Sequence, residues 1–396
     1  MARQAAIQET NFVSVETNTR PVYVDSAATT PIDPRVADLV LEMMAVEYGN
    51  AGSRTHEYGL QALRETSRAR ERIAACLSST PEEVIFTSGA TEADNLATLG
   101  LAASGAKEGR RHIVSTAIEH KAVLEPLDHL RTQGFEVTLV APDGSGRVSA
   151  GEVAAALRPD TLLVSVMHAN NETGAIQPIA EIADCLVDES IVFHVDAAQT
   201  FGRENGALRN RRIDLISLSA HKVFGPKGVG ALIVRRRNGR RVQLAPLMFG
   251  GGQERGLRPG TLPTPLVAGF GLAAKLAEKE ADERRQLCLA TRGEAFAALE
   301  RLGPIVHGRN GPVLPHILSL SFPGVDSEAL MVAAKDLVAI SNGSACTSSH
   351  YSPSHVLMAM GLDDDIVQGT IRLSWSHLTP PVPWTALAER LDDLRL

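Results

Sequence analysis

From about residue 21 the chain alternates short apolar, β-branched runs with amphipathic stretches of ten to fifteen residues. Seven runs read as buried strands: 83–87 (EVIFT), 112–116 (HIVST), 136–140 (EVTLV), 162–166 (LLVSV), 191–195 (IVFHV), 213–218 (IDLISL) and 229–234 (VGALIV). Strands separated by helices in this way predict an α/β fold, a mostly parallel seven-stranded sheet flanked by helices, with ligands at the carboxyl ends of the strands. A long helical run over 266–302 leads to a second segment with strand-like 317–322 and 371–374, expected to form a smaller α+β domain. The expected organisation is an N-terminal arm (1–20), a large domain (21–265), and a linking helix with a small C-terminal domain (266–396).

At 396 residues the chain is too long for one ordinary core. Hydrophobic residues at 44% and charged residues at 21% are globular values. No apolar run is long enough to span a bilayer, and the polar first twenty residues, with Glu9 and Glu16, lack the marks of a signal or transit peptide. A cytoplasmic protein without membrane contact is expected. A net charge of −7 argues against a broad nucleic-acid surface. Two arginine-rich runs, 209–212 and 235–241, read as solvated loop faces or as a docking patch for an acidic partner protein. Cys76, Cys185, Cys288 and Cys346 are far apart with no Cys-x-x-Cys pair, so neither a metal knuckle nor a disulfide framework is expected.

The unusual polar residues cluster at strand ends. SLSAHKVFGPKGVG at 217–230 sets Lys222 between an apolar run and a glycine-rich turn, flanked by Ser219 and His221. Desolvating an ammonium is costly, so a lysine there is either a surface residue in a strand-to-turn corner or a neutral amine fit to bond an aldehyde. Gly89, Ala90 and Thr91 open a helical stretch after the first strand, where free N–H groups suit an anion or simply a helix cap. His120, at the next junction, can stack on a heteroaromatic ring and exchange protons, or serve as a cap. Asn171 lies in the turn MHANNETG after the fourth run. Asp196 follows the fifth, where a half-buried carboxylate wants a cation: a ring nitrogen or an arginine. Gln199 stands three residues on. Cys346, in NGSACTS, is an unpaired thiol in a small-residue segment and a candidate nucleophile.

Eight segments in order carry a resemblance: VDSAATTPIDPRV, FTSGATEADNLA, EHKAVL, MHANNETGAIQPI, HVDAAQT, SAHKVFGPKGVGAL, GGGQERGLRPGTLP and NGSACTS. From about residue 23 to 379 the chain resembles the NifS/IscS-type cysteine desulfurases, fold-type I pyridoxal-phosphate enzymes of the class V aminotransferase group. The resemblance implies phosphate contacts at Gly89, Ala90, Thr91, Ser219 and His221, with Thr261 reaching across from a second subunit of a homodimer. It implies ring stacking at His120, the ring-nitrogen partner at Asp196, the ring-oxygen contact at Gln199 and covalent attachment at Lys222. Substrate carboxylate contacts fall on Arg372, Asn171 and Asn50, although Asn50-Ala51 departs from the family's Asn-Pro. It implies conversion of L-cysteine to L-alanine with the sulfur left on Cys346 as a persulfide, for a sulfur-acceptor protein or scaffold. Iron–sulfur cluster assembly, thiolation of tRNA or a cofactor, and DNA phosphorothioation are the pathways left open. A selenocysteine lyase, a cysteine sulfinate desulfinase, an aminotransferase or a scaffold subunit are the alternatives.

Overall fold

The computed structural model describes residues 20–237, 239–343 and 353–394; residues 1–19 of the expected arm, and Cys346, lie outside them. Two helices precede the main sheet, α1 (Pro34–Ala45) and α2 (Glu57–Cys76). Asp33 starts α1 by accepting the Arg35 N–H, and Pro34 occupies a first position where its missing N–H costs nothing.

The sheet comprises β1 (Val84–Thr87), β2 (His112–Thr116), β3 (Glu136–Val140), β4 (Thr161–Met167), β5 (Val192–Asp196), β6 (Leu215–Ser219) and β7 (Gly230–Val234). Their spatial order is β1-β7-β6-β5-β4-β2-β3. Six strands share one direction, and β7 runs antiparallel to both β1 and β6. Successive residues alternate faces. Phe86, Val164, Phe193, Ile216 and Ile233 join α2 and α5 (Thr264–Lys279) in one apolar cluster. Ile85, Leu163, Leu215 and Leu232 join α3 (Ala90–Leu99) and α4 (Lys121–Thr132) in another. Covering both faces is why β1, β2, β4, β6 and β7 are buried at every residue. The expectation of a buried strand over 136–140 is corrected: β3 is an edge strand paired only with β2, with Glu136, Thr138 and Leu139 exposed.

The helical run over 266–302 is two helices, α5 and α6 (Ala281–Leu299), divided at Glu280. Glu280 accepts hydrogen bonds from Arg35 at 2.7 Å and from Arg284 at 2.7 Å. Beyond α6, β8 (Ile305–Val306), β9 (Ile317–Ser321) and β10 (Thr370–Ser374) form an antiparallel sheet that packs with α6 and α7 (Trp384–Asp393) around Leu318, Leu373 and Trp375. Val22–Tyr23 pairs with Val338–Ala339 and Val24 lies in this second core, so the described chain begins in the small unit before building the large one.

Of the arginine-rich runs, Arg209, Arg211 and Arg236 are exposed as expected of solvated faces, whereas Arg212, Arg235, Arg237 and Arg241 are partly or fully buried. Arg235 is buried and donates to the carbonyls of Leu77 (2.7 Å) and Leu208 (2.8 Å). Arg212 donates to Leu186 (2.7 Å) and Ile191 (2.9 Å), and Arg209 to Cys76 (3.1 Å). These side chains satisfy loop carbonyls at the amino ends of β5 and β6, opposite the site. Among the described residues no helix is long and apolar enough to cross a membrane.

Candidate active site

The carboxyl ends of β1, β4, β5 and β6 and the start of α4 open on a cavity of about 550 Å³. At the end of β1, Thr87 Oγ1 donates to the Gly89 carbonyl at 2.8 Å and α3 begins at Ala90. A Cβ on Gly89 would meet no atom within 4 Å, so the backbone there faces open cavity, with the N–H groups of the first turn and Thr91 beside it. Gly230 on β7 permits this placement: a Cβ there would lie 2.6 Å from Gly89 Cα and 2.4 Å from the Leu218 oxygen.

Glu119, fully buried, ties β2 to β4 by accepting from Thr116 Oγ1 (2.6 Å) and the Met167 N–H (2.9 Å). Burial pushes its carboxyl up to about 8. The adjacent His120 caps α4, its Nδ1 accepting from the Ala122 N–H at 3.1 Å. Burial lowers its pKa, so the imidazole is neutral with its proton on Nε2. The two asparagines after β4 divide the work. Asn170 Oδ1 builds the turn by accepting from the N–H groups of Glu172 (2.9 Å) and Thr173 (3.0 Å), while Asn171 lines the cavity.

Asp196, at the end of β5, accepts the Ala198 N–H at 2.8 Å. Burial, and next the neighbouring Asp94, push its carboxyl up to about 6. Two residues back, His194 is hydrogen-bonded to Ser165 (2.8 Å) and Ser217 (2.9 Å), with Asp94 at 3.5 Å. Ser219, the last residue of β6, lines the cavity, and the turn Ala220–Lys222 brings the half-buried Lys222 amine to the Ala27 carbonyl. Gln199 Nε2 donates to the same carbonyl at 2.9 Å. His221 meets Thr29 Oγ1 at 3.1 Å, and burial and Lys222 bring its pKa down to about 4. From the small unit, the buried Arg372 donates to the Asn171 carbonyl (2.9 Å), Asp25 (2.7 Å) and Ser341 Oγ (3.1 Å), leaving Nε with no partner among the described residues.

Gly89, Ala90, Thr91, His120, Asn171, Asp196, Gln199, Ser219, His221, Lys222 and Arg372 thus share one cavity. Asn50 and Thr261 do not line it: both are exposed on this chain, and Asn50 Oδ1 accepts the Gly52 N–H at 2.8 Å. The sequence reading assigned no role to Asp25, the Ala27–Thr29 backbone or Asp94. The first two lie in VDSAATT, a segment without catalytic residue types, and Asp94 sits inside a helix pattern. The donor set fits pyridoxal phosphate. An anion cradle at the start of α3, a buried carboxylate made costly by its surroundings and relieved by a cationic ring nitrogen, and a lysine amine occupy three sides of one space.

The chain matches the aminotransferase class-V family over residues 22–380. It is 45% identical over 362 residues to "Cysteine desulfurase IscS" of Vibrio cholerae serotype O1, covering 91% of this chain and 89% of that one. Among solved structures, DndA from Streptomyces lividans is 51% identical, with a TM-score of 0.78 over 89% of this chain and 99% of that chain. SspA in complex with cysteine is 35% identical, with a TM-score of 0.79 over 91% of this chain and 99% of that chain.

Proposed function

The chain belongs to the aminotransferase class-V family and is a pyridoxal-phosphate-dependent cysteine desulfurase, and from that premise we propose which of its residues carry the reaction. The observation that supports the assignment best is the placement of Lys222 and Asp196 at the ends of adjacent strands, in one cavity with the start of α3. When bound, the cofactor supplies an aldehyde that condenses with amines and a ring that withdraws electrons from Cα. Lys222 would hold that aldehyde, and its Nζ would take the Cα proton of L-cysteine. Asp196 keeps the ring nitrogen protonated. His120 would stack on the ring and offer Nε2–H to the substrate sulfur. Arg372 binds the α-carboxylate through its guanidinium, with Asn171 beside it. The Cys346 thiolate attacks the substrate sulfur; the Cβ–S bond breaks, its electron pair stays on carbon, and protonation there gives alanine.

The enzyme works as a cytoplasmic homodimer in which exposed Thr261 completes the partner's phosphate site, and Asn50 has no assigned role. The persulfide passes to an acceptor protein or scaffold serving iron–sulfur cluster assembly, thiolation or DNA phosphorothioation. We place the division between a large unit and a small one near residue 265, with residues 22–24 counted in the small unit on their pairing. Lys222→Ala tests the assignment: the purified variant is expected to lack the visible absorption of the wild type, and an unchanged spectrum would place the cofactor elsewhere.

A further inference from the structure

The segment 24–33 crosses from the small unit to the lysine turn, and its polar groups engage two of the cations that line the cavity. One end is joined to β10. Ser26 N–H donates to the Ser374 carbonyl (2.9 Å), Ala27 N–H donates to Ser374 Oγ (2.9 Å), and Asp25 accepts from Arg372 Nη2 (2.7 Å). At the other end the buried Thr30 bonds to residues on both sides of Lys222. Its N–H and Oγ1 donate to the His221 carbonyl (2.9 and 3.0 Å), and Oγ1 accepts from the Phe224 N–H (2.9 Å). Asp33 N–H donates to the Phe224 carbonyl at 3.0 Å. Phe224 sits at φ 64°, a left-handed conformation that an aromatic residue adopts only when its neighbours impose it. Thr30 and Asp33 hold both of its backbone polar groups there. Between the ends, the Tyr23 hydroxyl lies 2.9 Å from the Asp25 carbonyl and 3.1 Å from the Thr29 carbonyl, closing the bend. The Ala27 carbonyl, at its middle, accepts from Lys222 and Gln199.

We propose that this segment is a strap that sets Arg372 and Lys222 at a fixed separation, with Asp25 the positioning residue for the arginine and Thr30 the positioning residue for the lysine. The inference rests on the roles assigned above to those two cations. A substrate gripped by its α-carboxylate must present Cα to the lysine amine, so the span between the two grips decides whether the proton can be taken. The large and small units have separate apolar cores, and a joint between two cores is where such a span varies most. The strap bypasses that joint, running from β10 directly to the lysine turn. Its two ends act on different events: Asp25 on the binding of the carboxylate, Thr30 on the placement of the amine. A simple connector would need neither side chain.

Steady-state kinetics of the holoenzyme with L-cysteine should separate the two ends. Asp25→Asn should raise KM roughly tenfold and leave kcat within about twofold of wild type. Thr30→Val strands the Phe224 N–H without adding bulk and should lower kcat roughly tenfold with little change in KM, while Thr30→Ser keeps the hydroxyl and should restore it. A readout without turnover is the return of the visible band after pyridoxal phosphate is stripped from the protein and resupplied. That return should be roughly tenfold slower in Thr30→Val and at the wild-type rate in Asp25→Asn and Thr30→Ser. Parallel changes in KM and kcat in the two variants, or Thr30→Ser as slow as Thr30→Val, would overturn the proposal and leave the segment a structural joint. If Thr30→Val does not fold, the split in Asp25→Asn and the wild-type rate of Thr30→Ser carry the test, and failure of either overturns it. The lysine assignment fails separately: a band that survives Lys222→Ala defeats that assignment, whereas a band lost in Lys222→Ala but returning at the wild-type rate in Thr30→Val defeats the strap alone.

Discussion

Arg372 reaches its position with two nitrogens already committed, to Asn171 and to Asp25 and Ser341, so its geometry is fixed before any ligand arrives. Removing it takes a charged donor from the substrate carboxylate and also strands Asp25. Arg372→Ala should raise the KM for L-cysteine by roughly 30-fold or more, the scale of a lost buried charge pair. Steady-state kinetics would show this, and an unchanged KM would remove Arg372 from carboxylate binding. Asp196→Asn keeps the acceptor oxygen for the Ala198 N–H but not the charge. It should lower kcat by about 100-fold or more while the fold, read by circular dichroism, is retained. At this scale residue types at strand ends were legible from the sequence: Lys222, Asp196 and Arg372 are charged groups beside apolar runs, which fall together only at a site. Asp25 and Asp94 were not, because an acid after Val24 or within a helix has no local signature; their importance comes from contacts hundreds of residues away or across the sheet.

Between elements, the start of α3 depends on β7. Gly230→Val would drive a side chain into Gly89 and the Leu218 carbonyl, backbone that cannot give way cheaply. A loss of roughly 3 kcal/mol or more in stability is expected, with weakened cofactor retention in whatever folds. Denaturant titration measures it, and wild-type stability would show that β1 and β7 sit further apart. Glu119 tethers β2 to β4 in the same region. Its folded pKa of about 8 lies above the ordinary 4.5, so between those values the native state keeps a proton that the unfolded chain has released. Unfolding then loses protons, and stability falls as pH rises through that window. Asp94 (about 7) and Asp196 (about 6) act in the same direction. Buried histidines such as His221 and His377, held down to about 4, act in the opposite direction below about pH 6.5, so the test is a difference. Glu119→Gln, which keeps the Oε1 contacts, should gain stability relative to wild type as the cofactor-free protein is taken from about pH 5 to about pH 8. A slope unchanged by the variant would mean that Glu119 is ionised throughout. Periodicity revealed the seven strands but could not rank them by position. An edge strand and a central one share the same β-branched residues, and the reversed direction of β7 follows from its short connection to β6 rather than from its composition.

Across the whole molecule, the site exists because two units meet. The large sheet supplies the anion cradle, Asp196 and Lys222, and the small antiparallel sheet supplies Arg372, carried in on β10 and tied to the chain's own beginning through Asp25. The parallel pairing of Val22–Tyr23 with Val338–Ala339 makes that beginning part of the small unit, a contact between distant segments that no local pattern encodes. Likewise the arginine-rich runs look in sequence like a charged surface, yet Arg212 and Arg235 are spent on loop carbonyls at the far end of the sheet. Two of the three remaining cysteines support the choice of nucleophile by their own placement. Cys76 is buried at the end of α2 with its thiol pushed up to about 12, and Cys288 is buried with its pKa raised, so both are held as unreactive thiols. The central claim, a desulfurase whose sulfur acceptor is Cys346, is tested most directly by alanine formation from L-cysteine, with the visible spectrum recorded alongside, in wild type and Cys346→Ser. The account predicts that both proteins carry the cofactor band and that only the wild type makes alanine and a persulfide. Equal alanine production by both would contradict it and assign the chemistry to a lyase or desulfinase that needs no protein thiol.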